Sequence, residues 1–211
     1  MEKRKEMKKN LKWIIFGILI VLVIGIMIFI KNGRIVEFDN YIYTLVTHNT
    51  NSVLDNLNHI FTFFGSTLWM IILPILCLIM FKDKKKAVFI CVCLIISIIL
   101  NIGIKNVFMR ERPVVRKLVE ETSYSFPSGH TTAAVTMYGI MLYLIIKSSF
   151  SKNKKIIFSS GLIILMFLVA VSRIYLGAHF ASDVIGGALV SSAFLILYTS
   201  VTEKFLIKNK E

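Results

Sequence analysis

An all-α, polytopic membrane protein with six transmembrane helices is the fold class this sequence predicts, and three observations predict it. Of the 211 residues, 56% are hydrophobic and only 18% are charged, with a mean hydropathy of +0.74; soluble domains carry roughly a quarter charged residues. The apolar residues form blocks of 16 to 22 rather than an amphipathic pattern, and about 20 suffice for one span. The 25 Lys and Arg residues cluster beside those blocks, where they meet anionic headgroups. The net charge of +13 therefore reads as membrane flanks and not as a nucleic-acid surface. Little length remains for a soluble domain, so a single domain over residues 1–211 is expected, with a motif-bearing core at 87–201.

The spans are expected at residues 11–30, 61–81, 87–108, 131–146, 156–176 and 180–201. The first follows a basic head, but Lys31-Asn32-Gly33-Arg34 offers no small-x-small cleavage site, so it is expected to stay as an anchor. Residues 36–58 place Phe38, Tyr41, Ile42, Leu45 and Val46 at helical spacing, which predicts short interfacial helices. Pro74 interrupts the second span and predicts a kink there. Trp13 and Trp69 either mark headgroup depth or pack within the bundle. Cys77, Cys91 and Cys93 all fall inside apolar blocks and are expected as free, buried thiols. Counting the basic residues by segment puts 17 of the 25 in the head, residues 82–86, residues 147–155 and the tail. Both termini are therefore expected to be cytoplasmic. The polar residues that look chemical then gather on the outer side.

Three elements carry that chemistry. Lys105 and Arg112 are seven apart, and seven steps of about 100° return to nearly the same helix face; two cations can then converge on one anion, although either alone could merely snorkel to headgroups. Phe126-Pro127-Ser128-Gly129-His130 leads into the fourth span, so the Ser128 and Gly129 amides sit at a helix start, a ready anion site or a plain N-cap turn. His130 is placed to deliver a proton. Between spans five and six lie Arg173, His179 and Asp183, the last two four apart. On a helix that spacing lets Asp183 accept the Nδ1 proton and leaves Nε2 as base or nucleophile, unless the pair is structural. His48 and His59 fit no such pattern and are read as structural.

Lys105, six residues, then Arg112-Pro113; Pro127-Ser128-Gly129-His130; and Ser172-Arg173, five residues, His179, three residues, Asp183: this three-part pattern resembles the signature of the type-2 phosphatidic acid phosphatase family, the integral membrane lipid phosphatase branch of the vanadium haloperoxidase-like superfamily. The resemblance implies that His179 attacks phosphorus to form a phosphohistidine, with Asp183 holding its tautomer. It implies that His130 protonates the leaving oxygen, and that Lys105, Arg112, Ser128, Gly129 and Arg173 hold the phosphate oxygens. It further implies a metal-independent hydrolase of a lipid phosphate or diphosphate, such as undecaprenyl diphosphate, phosphatidylglycerol phosphate or phosphatidic acid, and the basic-residue count puts that activity at the outer face of a cell membrane. No cofactor and no nucleic acid is expected, since near the motifs only Glu111, Glu120, Glu121 and Asp183 are acidic.

Three other classes compete. A transporter would carry polar groups at mid-span in repeated halves, whereas here they gather at one interface. A catalytically inactive lipid-phosphate-binding relative would lack His130, His179 or Asp183, and all three are present. A vanadate-dependent oxidase would share the pocket, but a site embedded in spans favours lipid substrates. Beyond the motif cations, Arg110, Arg116 and Lys117 are candidates for a second phosphoryl group of a diphosphate, or else balance Glu111, Glu120 and Glu121.

Overall fold

The computed structural model describes residues 2–207, with side chains for residue 7 and residues 10–202. Its elements run α1 (Glu2–Lys31), α2 (Val36–Val46), α3 (Ser52–Phe63), α4 (Thr67–Met80), α5 (Lys84–Phe108), α6 (Gly129–Lys147), α7 (Lys152–Tyr175) and α8 (Ala181–Ile207). Five of them hold segments long and apolar enough to cross a membrane: Asn10–Lys31, Lys84–Phe108, Gly129–Lys147, Lys152–Tyr175 and Ala181–Thr202. The pair Ser52–Phe63 and Thr67–Met80, bent by 48°, makes a sixth when the two are taken as one broken span. Part of the basic bias rests on Lys3, Arg4, Lys5, Lys8, Lys9, Lys204, Lys208 and Lys210, whose side chains lie outside the described residues.

The second span is where expectation and structure part. It is not one helix over 61–81 but two, broken at Phe64-Gly65-Ser66, while α4 runs through Pro74 as a single element. The cause of the break is local. Ser66 accepts from the Trp69 amide at 3.3 Å and so starts a new helix. A Cβ on Gly65 would stand 2.7 Å from Val169 Cγ1 and 3.1 Å from His130 Cβ, so only glycine lets the break press against α6 and α7. Tyr138 donates to the Phe64 carbonyl at 2.7 Å and receives the Trp69 indole N–H at 2.9 Å, which satisfies a carbonyl that the broken helix frees. Trp69 is therefore a packing residue. The region before it does form short helices, although α3 extends beyond residue 58 to Phe63.

Helix α6 is the hub, packed on α5, α7 and α8, while α1 leans on α8 alone among its stronger contacts. Its neighbours surround an apolar core of Met70, Phe89, Ile90, Cys93, Met137, Tyr138 and Val169. Cys77 and Cys93 are buried and Cys91 is half-buried. Polar side chains pin the helices in register: Ser97 to Thr136 at 2.7 Å, Asn101 to Thr132 at 3.0 Å, and Tyr198 to the Phe89 carbonyl at 2.8 Å. In a bilayer such bonds replace the hydrophobic force that lipid cannot supply. Up-and-down connectivity puts the C-termini of α5 and α7 and the N-termini of α6 and α8 at one end of the bundle. All three sequence motifs occupy that end.

Candidate active site

The turn between α7 and α8 sets the centre. Gly177 has φ of +69° and packs so tightly on the loop after α5 that a Cβ would come within 2.2 Å of the Arg116 carbonyl. Two further N–H groups, of Ala178 at 3.1 Å and His179 at 3.2 Å, close onto the Arg173 carbonyl. This tight turn aims His179 inward, where it is 2% exposed. His179 precedes α8 and Asp183 lies in its first turn, so the pair is not borne on one helix as the four-residue spacing suggested. The two still meet, with Nδ1 3.6 Å from Asp183 Oδ2.

Ser125 stands between them, donating to Asp183 Oδ2 at 2.5 Å with its oxygen 3.4 Å from His179 Nδ1. The Phe180 amide also donates to Oδ2, at 2.9 Å. Burial is the main force on His179, pushing it down to about 4, with Arg173 and Arg112 adding to the shift and Asp183 opposing it. The imidazole is neutral at physiological pH, the form a nucleophile requires.

The geometry also corrects the route by which Lys105 and Arg112 converge. Helix α5 ends at Phe108, with Met109 in the left-handed conformation at φ 51°, so the two do not share a helix face. The loop folds back instead. Arg112 donates to the Ser123 carbonyl at 2.6 Å and the Ala178 carbonyl at 2.7 Å, and its Nη1 lies 3.3 Å from His179 Nε2. Burial holds this guanidinium below its ordinary range, with Glu121 and Asp183 opposing, yet an arginine so shifted remains charged. Lys105 is buried in α5 and donates to the Tyr124 carbonyl. Gly129 opens α6 beside the Lys105 stem.

Ser128 is at the N-cap of α6 as expected, but its amide donates to the Asp183 carbonyl at 3.1 Å and its hydroxyl receives Thr131 at 3.1 Å. Its N–H is thus committed to holding α6 against α8.

The anion seat holds a carboxylate. Glu121 accepts from Arg173 Nη2, and its oxygens lie 3.8 Å from His130 Nδ1 and 3.7 Å from Arg112 Nη2. Sequence reasoning counted Glu121 only as a balancing charge; its place between two arginines and a histidine was not legible from spacing. Arg173, 1% exposed, also donates to Thr62 of α3 at 2.6 Å, and its buried Nε has no partner. Beside this seat a recess of about 620 Å³ is lined by Lys105, Arg112, Lys117, Glu121 and Tyr124 among others. Arg112 thus reaches His179 Nε2 with Nη1 and Glu121 with Nη2.

Two of the cations suggested for a second phosphoryl group have other partners. Arg110 pairs with Asp39 and Asp183, and Arg116 pairs with Asp55 at 2.8 Å. Lys117 alone of the three faces the recess without such an ion pair among the described residues. Ser125, Arg110 and Asp39 are further site-lining residues that the motifs did not flag. Among the described residues no group of three or more His, Cys, Asp or Glu side chains stands together as a metal-ligand set.

A family model described as the PAP2 superfamily matches residues 86–206. The phosphatidylglycerophosphatase B of Bacillus subtilis is 38% identical over 108 residues, which are 50% of this chain and 53% of that protein. An undecaprenyl-diphosphatase of Sulfolobus acidocaldarius is 28% identical over 211 residues, covering 97% of this chain and 98% of the other. Among solved structures, the transmembrane PAP2-type phosphatidylglycerolphosphate phosphatase from Bacillus subtilis superposes with a TM-score of 0.83 over 93% of this chain and 98% of that one, at 24% identity. The fold is shared with that enzyme.

Proposed function

Since this chain belongs to the PAP2 superfamily, a family of membrane lipid phosphatases, we propose that it hydrolyses the terminal phosphate of a lipid phosphate or diphosphate through a phosphohistidine on His179, without a metal. The observation that carries this reading is the seat occupied by Glu121. Arg112, Arg173 and His130 surround an oxyanion there, and Arg112 bridges from that seat to His179 Nε2. In the proposed reaction the phosphate displaces Glu121 and is held by Arg112, Arg173, Lys105, the Ser128 hydroxyl and the Gly129 amide at the start of α6. His179 Nε2 attacks phosphorus, Asp183 stabilises the imidazolium through Nδ1, and the lipid alcohol or lipid monophosphate leaves with a proton from His130. His130 then activates water to free the enzyme. The cations supply the countercharge that a metal supplies in other phosphoryl transfers.

Lipid specificity follows from position. The site lies at one end of the spans, where a substrate keeps its tail in the bilayer. The related proteins include a phosphatidylglycerophosphatase and an undecaprenyl-diphosphatase, so both headgroups belong in the test. Purified full-length chain is expected to release phosphate from at least one of undecaprenyl diphosphate, phosphatidylglycerol phosphate and phosphatidic acid, with vanadate inhibiting and chelator having no effect. Loss of activity in chelator, restored by Mg²⁺, rejects the metal-free mechanism; no release from any of the three rejects the lipid phosphatase.

The same reading places the site on the extracytoplasmic side of a cell membrane with both termini in the cytoplasm, because the opposite end of the bundle carries Lys82–Lys86 and Lys147–Lys155. There Lys155 donates to the Ile146 carbonyl at 2.8 Å and Lys84 to the Leu78 carbonyl at 2.5 Å, cations on the C-terminal carbonyls of α6 and α4. Single cysteines at positions 84, 115 and 154, in a background lacking Cys77, Cys91 and Cys93, test it. Position 115 is expected to label from outside and the other two from the cytoplasm; labelling of 115 only from the cytoplasmic face reverses the assignment.

A further inference from the structure

Helix α2 lies outside every catalytic motif, yet it delivers a buried carboxylate to the back of the site. Asp39 is 2% exposed. Its Oδ1 accepts the Ser182 amide at 2.8 Å, and its Oδ2 accepts the Ser182 hydroxyl at 2.7 Å and Arg110 Nη2 at 2.8 Å. The other arm of Arg110, Nη1, donates to Asp183 Oδ1 at 2.6 Å and to Ser182 Oγ at 2.8 Å. The guanidinium lies on the Phe180 ring, 4.1 Å from its centroid. A continuous chain of contacts therefore runs from Asp39 through Arg110 and Asp183 to His179.

We propose that Arg110 and Asp39 are positioning residues for the nucleophile: Arg110 fixes the Asp183 carboxylate so that Oδ2 faces His179 Nδ1, and Asp39 fixes Arg110. The inference rests on the proposed role of His179. A carboxylate torsion is broad when nothing holds it. Ser125 and the Phe180 amide hold Asp183 Oδ2, and Arg110 on Oδ1 completes the anchoring, so that the carboxylate keeps one oxygen toward the imidazole. A planar guanidinium fork does this for two carboxylates at once, as an ammonium cannot. It also stands between two buried anions, Asp39 and Asp183, which would repel each other without a cation between them. Both terminal nitrogens of Arg110 donate to these protein partners, which favours a positioning role over a phosphate ligand. The interfacial helix α2 thereby becomes part of the catalytic framework.

The charged and titratable groups facing His179 and Asp183 are Arg110 and Arg112 from the loop, Arg173 from α7, Lys105 from α5, His130 from α6 and, through Arg110, Asp39 from α2. Removing a cation from this set makes His179 easier to protonate; removing an anion does the reverse. In full-length protein, Arg110→Gln is expected to lower kcat about 10- to 100-fold with KM nearly unchanged, the size seen when a group supporting a catalytic ligand is lost. The acid limb of kcat/KM moves to higher pH in Arg110→Gln and to lower pH in Asp39→Asn. Arg110→Lys keeps the charge without the fork, so its limb stays in place while kcat recovers only in part. These opposite shifts are not produced by a merely structural role. A rise in KM at constant kcat for Arg110→Gln would make Arg110 a substrate ligand, and limbs that do not move in either variant would make both residues structural; either result overturns the proposal. If Arg110→Gln does not fold, Arg110→Lys and Asp39→Asn decide the question by the same two readouts. His179→Ala separates the premise: turnover surviving there removes the nucleophile assignment, whereas an inactive His179→Ala with unmoved Arg110 and Asp39 variants removes only this inference.

Discussion

Replacing His179 by alanine is expected to abolish phosphate release, a loss of about 10⁴- to 10⁶-fold, as when the nucleophile of a covalent mechanism is removed. No phosphoenzyme should then be trapped when the reaction with radiolabelled substrate is quenched in alkaline detergent, in which the P–N bond of a phosphohistidine survives. Two features of the site make the effect this large. Nε2 faces the anion seat from beneath Arg112, and burial keeps the ring neutral down to about pH 4. The wild-type acid limb should consequently fall well below the ordinary imidazole range: His179 is active when deprotonated, so activity is lost as pH falls through its lowered pKa. His130→Ala provides the contrast. It retains the nucleophile, so it is expected to form phosphoenzyme slowly and to accumulate it, because both leaving-group protonation and water activation are impaired. A stable phosphoenzyme in His179→Ala, or none in His130→Ala with a good leaving group, would reverse the two roles.

The spans were legible because about 20 apolar residues in a row have few alternatives; five of the six helices start and end within a few residues of the expected bounds. The Ser66 cap that restarts the helix is local, but the break was not legible because the contacts pressing on Gly65, from Val169 and His130, lie far away in sequence. Motif residues could be named from order and spacing, yet the local geometry assigned to them was partly wrong. Helical periodicity was applied to Lys105 and Arg112 across a helix end, and to His179 and Asp183 across a turn. In both cases loop folding, not a helix face, brings the side chains together. Asp39 and Glu121 were out of reach for a different reason. A single carboxylate in an interfacial segment or a loop looks solvated, and only the fold shows that one meets Arg110 and the other Arg173.

Arg173→Gln is expected to cost about 10²- to 10³-fold in kcat, the usual loss for one preorganised oxyanion donor, while Glu121→Gln is expected to raise kcat/KM. The two residues touch but act oppositely. Arg173 is fully buried between Thr62 and Glu121, and a group that has been desolvated during folding does not have to be desolvated again when phosphate arrives, so its field acts at nearly full strength in the transition state. Glu121 holds the same cations in the resting state and must be displaced by substrate, so its negative charge raises the effective KM. Neutralising it weakens the competitor and leaves the cations in place. Because breaking a buried charge pair also destabilises the protein, thermal unfolding of each variant should be followed alongside kinetics. Arg173→Lys separates the two effects: it keeps the charge and loses the fork to Thr62 and Glu121, and is expected to fold like the parent while remaining clearly slower. An unchanged or raised KM in Glu121→Gln would show that this carboxylate helps to bind or orient substrate, and the resting seat would then have to be read as part of the working site and not as a competitor for it.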